Sequence, residues 1–371
     1  MRKLLLFKIL FIVSFLFSLT AVNSSTDQKV LYEGSMKEEI YDAEYEIISD
    51  QLVPKFIATG KKIEIFGQKR LIKSLSLQNK LGYKVRVNIS PDKKYFAISQ
   101  AIASDEKTAT LRQYEVYSHN GDLIWEKQSD RFLFFIERFS SYKEGTYYFF
   151  HPEISGLGIL NKNIDKFIET KGIVNSITIN DDKLLVVSKD KSDNQIRIIL
   201  LDSVGNSIWE ETYTIGNGYE PIIKMYDEKY LFAYEYNNSN IFVVKNYKKE
   251  PVFKYSTNSN DDKFDGEISE NYCFLTSGNV ISKNNMITNK IEQTLKLKGQ
   301  IEYIKKINKD VFLWHTNSNK HYLSLLNEEL NEIWDKEIKL PLYEVGPPKD
   351  IKVIGRHIIL LFPTRILSIS K

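Results

Sequence analysis

Histidines are the side chains in this sequence best suited to acid–base chemistry or zinc binding, and there are five of them. His315 and His321 stand closest together, at the two ends of a predicted hairpin. Zinc sites usually combine histidines with thiolates or carboxylates, and neither stands beside this pair. We therefore expect no metal site, no cofactor and no catalytic residue that the sequence can name. A Ser-His-Asp triad depends on geometry and not on order along the chain, so the sequence leaves one open, and no Gly-x-Ser-x-Gly motif points to it.

The densest group of oxygen ligands lies at 258–267, with the sequence NSNDDKFDGE. Calcium accepts such carboxylates and amides, but the segment lacks the alternating spacing of an EF-hand loop. A calcium loop and a solvated connection both remain open, and we favour the solvated connection.

The chain has one cysteine, Cys273, within the apolar run YCFL. A single thiol forms no internal disulfide. An apolar setting is typical of a buried core thiol, which we favour over a nucleophile.

The first 24 residues have the pattern of a signal peptide: a basic start, an apolar stretch at 4–19, and small residues near Ala21 and Ser25. The alternative is a membrane anchor, but the apolar stretch is shorter than the roughly 20 residues that span a bilayer comfortably. We expect cleavage between Ala21 and Ser25, and no membrane span afterwards. Export without disulfides favours a bacterial protein that is periplasmic or secreted.

The charge of the expected mature chain is balanced. The leader holds Arg2, Lys3 and Lys8 and no acid, which leaves 48 basic and 48 acidic residues. Because binding to a phosphate backbone is driven by excess positive charge, nucleic acid is not an expected partner.

The composition predicts an all-β fold. The chain has 22 tyrosines and 21 phenylalanines, and only seven alanines after residue 25. Aromatic and β-branched residues favour strands and alanine favours helices, so we expect very little helix.

Three similar segments carry Trp125, Trp209 and Trp334. Each reads as a strand, a polar turn and a second strand in which the tryptophan precedes an acid. The tryptophans are 84 and 125 residues apart, close to two and three times 42. A period of this size, with four short strands in each unit, is typical of β-propeller blades.

Weaker copies of the same strand–turn–strand pattern occur at the expected intervals of about 42 residues, between the tryptophans and before the first of them. We expect the following side chains to be structural residues at equivalent places, on the outermost strand of each blade and packed between neighbouring blades: Tyr32, Trp125, Phe167, Trp209, Phe253, Trp334. Inner strands are predicted where an acidic turn precedes a dense apolar run, as in DDKLLVVS at 181–188.

The ends of the chain decide the number of blades. The C-terminus supplies three strands, at 351–354, 357–362 and 365–369, and then stops. The segment 30–35 resembles a fourth, outermost strand, so we predict eight four-stranded blades in a single domain, 25–371, closed by this N-terminal strand. Seven blades are the alternative, if 27–60 is an appendage. About ten extra residues in the second blade are assigned to the loop 103–110.

The segment LDSVGNSIW at 201–209, with its Asp, Gly turn and Trp, resembles the blades of the quinoprotein-like and WD-repeat-like propeller superfamily. The resemblance implies the fold and no particular activity. Quinone-dependent members carry an adjacent cysteine pair, which this chain lacks. Sialidase-type turns need a spacing that 118–125 does not have, and outer-membrane assembly scaffolds of this fold are usually lipid-anchored through a cysteine that is missing here.

Long loops are the remaining clue to function, because binding residues tend to lie on loops held by a rigid scaffold. Three join an outermost strand to the next blade, at 215–221, 256–265 and 341–349, and they should emerge on one face together with 103–110. The candidate binding face consists of Tyr219, Glu220, Asp261, Asp262, Tyr343 and Glu344. The alternative is that these loops bind nothing.

These observations predict an exported, non-catalytic propeller that acts as a protein-binding or scaffold module, with another protein or a glycan as partner. We expect a monomer. Two alternatives stay open: an enzyme acting on glycans or peptides at the centre of the ring, and a carbohydrate-binding module.

Overall fold

The chain forms a ring of eight four-stranded antiparallel sheets, which is a β-propeller with eight blades. The computed structural model describes residues 28–33, 40–48, 51–59, 62–67, 70–76, 86–90, 92, 94–103, 109–129, 136–140, 142–151, 154–180, 182–190, 194–216, 221–258, 263–341 and 346–371. Helix in these residues is limited to one 3₁₀ turn, Tyr142–Glu144. The prediction of an all-β chain with very little helix is confirmed.

The strands of each blade are named a to d from the centre of the ring outwards. The first strand of the chain, β1 (Gln28–Glu33), belongs to the last blade. Blade 1 contains β2 Ile40–Ile48, β3 Gln51–Thr59, β4 Lys62–Gly67 and β5 Arg70–Ser76. Blade 2 contains β6 Arg86–Ile89, β7 Tyr95–Ala103, β8 Ala109–Ser118 and β9 Leu123–Ser129. Blade 3 contains β10 Ile136–Ser140, β11 Thr146–His151, β12 Ile154–Leu160 and β13 Asp165–Glu169. Blade 4 contains β14 Ile173–Asn180, β15 Lys183–Lys189, β16 Gln195–Asp202 and β17 Ser207–Thr214.

The second half of the chain continues the same order. Blade 5 contains β18 Ile222–Tyr226, β19 Lys229–Tyr236, β20 Ser239–Asn246 and β21 Pro251–Asn258. Blade 6 contains β22 Phe264–Ile268, β23 Tyr272–Ser277, β24 Val280–Asn285 and β25 Lys290–Lys296. Blade 7 contains β26 Gln300–Ile307, β27 Asp310–Asn317, β28 Lys320–Leu326 and β29 Glu332–Ile338. Blade 8 contains β30 Asp350–Ile354, β31 His357–Leu361, β32 Arg365–Ser370 and, as its strand d, β1.

The ring is closed by the pairing of the first strand with the last. β1 runs antiparallel to β32, with Gln28 opposite Ile369 and Glu33 opposite Arg365. Arg365 and Glu33 also form an ion pair. The eight-blade prediction with an N-terminal closing strand is confirmed, and the seven-blade alternative is wrong.

The apolar core is divided among the spaces between blades. In the described residues, eight clusters of buried side chains fill these spaces, one for each pair of neighbours around the ring. Strand β19 shows why inner strands are continuously apolar: Tyr230 and Phe232 pack towards blade 4, whereas Leu231 and Ala233 pack towards blade 6. Since successive side chains point to opposite faces, a strand with a blade on each side needs apolar residues at both parities.

The outermost strands share a β-bulge. In six blades the register between strands c and d shifts near the start of strand d, as between Leu200 and Leu201 opposite Trp209 and Ser207. In blade 8 the shift lies nearer the end of strand d, between Val30 and Tyr32. The extra residue turns the following side chain towards the next blade. Trp209 therefore stacks near Tyr230, with ring centroids 5.6 Å apart, and its Nε1 donates to the Tyr247 carbonyl at 2.6 Å.

Blade 3 pairs its strands c and d without this bulge. Phe167 lies 42 residues after Trp125, at the position that corresponds to the tryptophans. Without the bulge it packs on the cluster between blades 2 and 3, and Ile168 packs towards blade 4. Tyr32, Trp125, Phe253 and Trp334 lie with clusters that they share with the following blade. Phe167 thus points the opposite way from the other residues of its predicted class, because one missing residue reverses the parity of the strand.

Two loop boundaries differ from the sequence predictions. The loop assigned to 256–265 is shorter, because β21 continues to Asn258 and β22 begins at Phe264. The extra residues of blade 2 lie partly in strands, since β7 and β8 extend to Ala103 and from Ala109. The predicted signal peptide, 1–24, lies outside the described residues. No helix within the described part of the chain is long and apolar enough to cross a membrane.

The position of Trp209 after the bulge leads to a prediction about the free energy of unfolding. Trp209→Ala should lower the free energy of unfolding by about 3 kcal/mol, because it empties space between blades 4 and 5 and removes the hydrogen bond from the indole to the Tyr247 carbonyl. The adjacent Ile208, 49% exposed, is the matched control, and Ile208→Ala should cost less than about 0.5 kcal/mol. Urea unfolding monitored by circular dichroism measures both values. Equal effects would contradict the assignment of the indole to the interface.

Candidate functional site

The inner rim, meaning the innermost strand of each blade, carries a cluster of charged side chains at blades 5 to 7. Lys224 is on β18, Asp265 and Glu267 are on β22, and Lys305 is on β26. The Lys224 Nζ lies 2.9 Å from the Asp265 Oδ1 and 3.1 Å from the Glu267 Oε1. The Asp265 Oδ2 accepts the backbone N–H of Ile304 at 3.3 Å. One carboxylate thus connects three consecutive blades.

Strand alternation explains how β22 presents both carboxylates. Phe264 and Ile268 pack in the cluster between blades 5 and 6, so Asp265 and Glu267 lie together on the opposite side of the strand, where the Lys224 Nζ reaches both of them from blade 5. Gly266 faces blade 5, where an added Cβ would lie 2.6 Å from the Leu231 Cδ2. Glycine is therefore required for the two blades to approach this closely.

Electrostatics at this cluster keep the lysine charged. Burial by itself lowers the pKa of Lys224, but Asp265 and Glu267 outweigh it, so that the pKa is raised. Burial also raises the pKa of Glu267, against the opposing effect of Lys224 and Lys305. A raised pKa and two bound carboxylates disfavour Lys224 as a nucleophile or base, since both roles need the neutral amine.

Other polar groups of the inner rim bond in the same way to the next blade. The Thr178 Oγ1 donates to the Ile223 carbonyl at 3.3 Å, from blade 4 to blade 5. The Lys352 Nζ donates to the Ala43 carbonyl at 2.8 Å, from blade 8 to blade 1. These contacts indicate that the polar side chains of the rim hold blades together.

A Ser-His-Asp group occurs in blade 7, formed by Ser324, His315 and Asp335. The His315 Nε2 lies 2.9 Å from the Ser324 Oγ and 3.0 Å from the Asp335 Oδ1, and the serine donates to the same oxygen at 2.8 Å. A catalytic triad places serine and aspartate on different nitrogens of the ring. Here both meet one nitrogen, His315 is 2% exposed and Ser324 is fully buried, so the geometry is that of a structural hydrogen-bond group.

The buried group favours the ionised aspartate. Burial raises the pKa of Asp335, but the hydrogen bonds from His315 and Ser324 outweigh this effect, and the pKa falls below its ordinary value. The group therefore contributes to folding mainly when the carboxylate is charged.

The two histidines considered for zinc lie on opposite faces of blade 7. His315 pairs with Tyr322 across the hairpin and stacks on it, whereas His321 stacks on Trp314 at a centroid distance of 5.4 Å. The described residues contain no group of three or more histidine, cysteine or acidic side chains that could hold a metal. Cys273 is buried, and burial raises the pKa of its thiol, which disfavours the reactive thiolate.

The predicted binding face falls outside the described residues. This applies to Tyr219, Glu220, Asp261, Asp262, Tyr343 and Glu344. The strands on either side are described, and strands β17, β21 and β29 all end at the edge of the ring from which these loops leave. The calcium alternative for 258–267 loses Asp265 and Glu267, since both belong to β22 and bind Lys224.

Sequence reasoning missed the inner-rim cluster and the group in blade 7. An acidic i, i+2 pair within an apolar strand, as in FDGEI at 264–268, is a usable signal for polar side chains on one face. Lys224 has no comparable signal, because its partners come from a different blade.

No family model matches the sequence, and no curated protein is similar to it. Solved structures are similar in fold. BamB from Moraxella catarrhalis superimposes with a TM-score of 0.55 at 11% identity, covering 92% of this chain and 100% of that one. Sqt1 from Saccharomyces cerevisiae gives 0.54 at 10% identity, with coverage of 92% and 100%. Hsv2 from Kluyveromyces lactis gives 0.51 at 11% identity, with coverage of 75% and 89%.

The likeness shows the propeller fold. At these identities it shows nothing about activity or partners. The resemblance to quinoprotein-like and WD-repeat-like propellers is confirmed at the level of fold.

The inner-rim cluster can be tested through its charge balance. Lys224→Met should lower the free energy of unfolding at pH 7 by about 3 kcal/mol, because it leaves two carboxylates without their cation. The loss should shrink as the pH falls from 7 towards 4.5, since protonation of Glu267 relieves the unpaired charge. Adding Asp265→Asn and Glu267→Gln to this variant should restore part of the stability. Denaturant unfolding across this pH range measures the effect, and a pH-independent loss would contradict the charge argument.

The group in blade 7 predicts a dependence on pH in the same direction, at lower pH values. Since folding lowers the pKa of Asp335, its contribution is present above the unfolded value of about 4 and is lost as the pH falls through the folded value. Asp335→Asn should cost about 2 kcal/mol at pH 7, and the difference from the wild type should diminish between pH 5 and pH 3. Glu332→Gln, at an exposed position on the same strand, is the control and should change stability little at either pH.

Proposed function

We propose that this chain is an exported, non-catalytic propeller that binds another protein through the loops joining strand d of one blade to strand a of the next. The proposal is supported mainly by one observation: polar side chains inside the ring bond to one another. Lys224, Asp265 and Glu267 bond to one another across blades, and His315 bonds to buried Ser324. A scaffold of this kind holds its loops rigidly, which is what recognition of a partner requires.

The location and the assembly state belong to the same proposal. The N-terminal leader supports export from a bacterial cell, to the periplasm or beyond, with cleavage between Ala21 and Ser25. Because β1 completes blade 8, the closed ring leaves no three-stranded blade that a strand of a second copy could complete, which supports a monomer. Catalysis at the centre of the ring is less well supported, because the two carboxylates of the inner-rim cluster, Asp265 and Glu267, are bound to the same ammonium group.

The test compares two opposite faces of the ring. One variant replaces the predicted binding face with alanine, at Tyr219, Glu220, Asp261, Asp262, Tyr343 and Glu344. The control variant replaces six exposed turn residues at the other edge of the blades with alanine, at Lys162, Glu228, Lys248, Thr288, Lys309 and Glu329. Both proteins and the wild type are expressed in the native cell and cross-linked there, and cross-linked proteins are identified by mass spectrometry.

We expect the wild type and the control to cross-link to the same protein, and the loop variant to lose at least roughly 90% of that product. The mass of the recovered chain should correspond to a start between residues 22 and 26. Equal cross-linking of all three proteins, or an uncleaved chain in the cytoplasm, would contradict the proposal.

A further inference from the structure

A cleft of about 180 Å³ lies between blades 5 and 6, away from the inner rim. Its walls are formed by side chains of blade 5 that face blade 6 and side chains of blade 6 that face blade 5. The lining includes the Tyr255 ring and the side chains of Thr257, Asn258, Ser277, Asn279 and Thr294. The floor contains buried Phe242 and Leu275.

The cleft exists because two small residues replace a pair of tyrosines. At the preceding interface, between blades 4 and 5, Tyr213 is the seventh residue of strand d and Tyr234 is the sixth residue of the following strand b. Their rings pack 5.8 Å apart and fill the space. The same strand positions between blades 5 and 6 hold Thr257 and Ser277. The fold therefore leaves open here a volume that it fills one blade earlier.

Among the described residues, the lining is polar and carries no charged side chain. A charged ligand would lose its hydration in this cleft without gaining a counter-charge, which is costly. A purely apolar ligand would desolvate the hydroxyl and amide groups without replacing their hydrogen bonds. The lining thus favours a neutral ligand that presents both hydroxyl groups and an apolar face.

Several polar groups at the cleft are available for a ligand. Among the described residues, the side chains of Thr257, Asn258 and Thr294 have no hydrogen-bond partner. Behind them, Asn240 is fully buried and donates its Nδ2 to the Ser277 Oγ at 3.1 Å. Its Oδ1 has no partner within the described part of the chain.

We propose that this cleft is a binding site for one ring of a neutral saccharide. The ring would place its C–H face against Tyr255 and its hydroxyls against Thr257, Asn258 and Thr294, which is the division between aromatic surface and polar contacts typical of small-molecule sites. An extended peptide is the competing ligand. It would pair with the free outer edge of β21, which leaves the cleft floor unused.

The test is titration calorimetry of the full chain with defined probes. The neutral probes are glucose, galactose, mannose and N-acetylglucosamine with their disaccharides. The competing probes are glucuronic acid and an uncharged peptide rich in serine, threonine and valine. We expect at least one neutral sugar to bind and the competing probes to bind at least tenfold more weakly.

The variants fill the cleft or remove single hydroxyls. The double variant Thr257→Tyr and Ser277→Tyr copies the pair found between blades 4 and 5, so it should fold and should weaken sugar binding at least tenfold. Thr294→Val should weaken binding roughly fivefold through one lost hydrogen bond. Thr212→Val, at an exposed position on β17 outside the cleft, is the matched control and should bind as the wild type does.

The outcomes separate this site from the protein-binding loops. A loop variant restricted to Tyr219, Glu220, Tyr343 and Glu344 should keep its affinity for the sugar, because these residues belong to connections that do not join blade 5 to blade 6. If the double variant fails to fold, Thr294→Val and Asn258→Ala decide the matter. The proposal is wrong if no neutral sugar binds at 10 mM, a limit set roughly by the weakest affinities of interest. It is also wrong if the cleft variants bind as the wild type does, or if the charged sugar or the peptide binds as well.

Discussion

The whole structure depends on the pairing of β1 with β32. Each blade has apolar side chains on both faces, so no blade can bury its surface without a neighbour on each side. A ring satisfies this condition for every blade only when it is closed, and blade 8 is complete only after residues 28–33 supply its outer strand. The backbone contacts between the two ends of the chain therefore determine whether the apolar clusters on both sides of blade 8 are covered.

Within this closed ring, parity decides what each side chain touches. The bulge between strands c and d directs Trp209 towards the following blade, and its absence in blade 3 directs Phe167 towards the preceding one. Between blades 4 and 5 the outer part of the interface contains Glu211 of strand d, whose two carboxylate oxygens accept hydrogen bonds from the Lys245 Nζ at 2.9 and 3.0 Å. Between blades 5 and 6 the equivalent outer space is the cleft beside Tyr255. The same backbone thus gives a filled interface or a cavity, depending on two or three side chains.

Perturbed pKa values in this protein follow contacts that hold strands or blades together. Glu211 illustrates this: burial raises its pKa, but the hydrogen bonds from Lys245 and Tyr213 outweigh the effect and lower it. The pKa of Lys224 is shifted by two carboxylates of the next blade, whereas the pKa of Asp335 is shifted by partners on other strands of its own blade. Such shifts are common at active sites, but ion pairs that hold a fold together produce them as well. The geometry of each group, and not the shift, distinguishes the two cases here.

The sequence by itself determined the fold. Tryptophans spaced by multiples of about 42 residues, strands of continuous apolar residues after acidic turns, and a three-stranded C-terminal remainder were sufficient to predict eight blades and their closing strand. These features are local or periodic. The periodicity is visible in a single sequence because every blade must bury apolar side chains against a neighbour on each side.

Only the tertiary structure decided which side chains meet. Lys224 and Asp265 are 41 positions apart, and His315 finds Asp335 across two hairpins rather than His321 at the end of its own. The cleft could not be predicted from the sequence either. A threonine near the end of β21 and a serine at the end of β23 indicate a cavity only when they are aligned with the Tyr213–Tyr234 pair of the neighbouring interface. The reason is physical: contacts between blades depend on strand parity and blade spacing, and a single inserted or missing residue in a bulge reverses that parity without leaving a clear mark in the sequence.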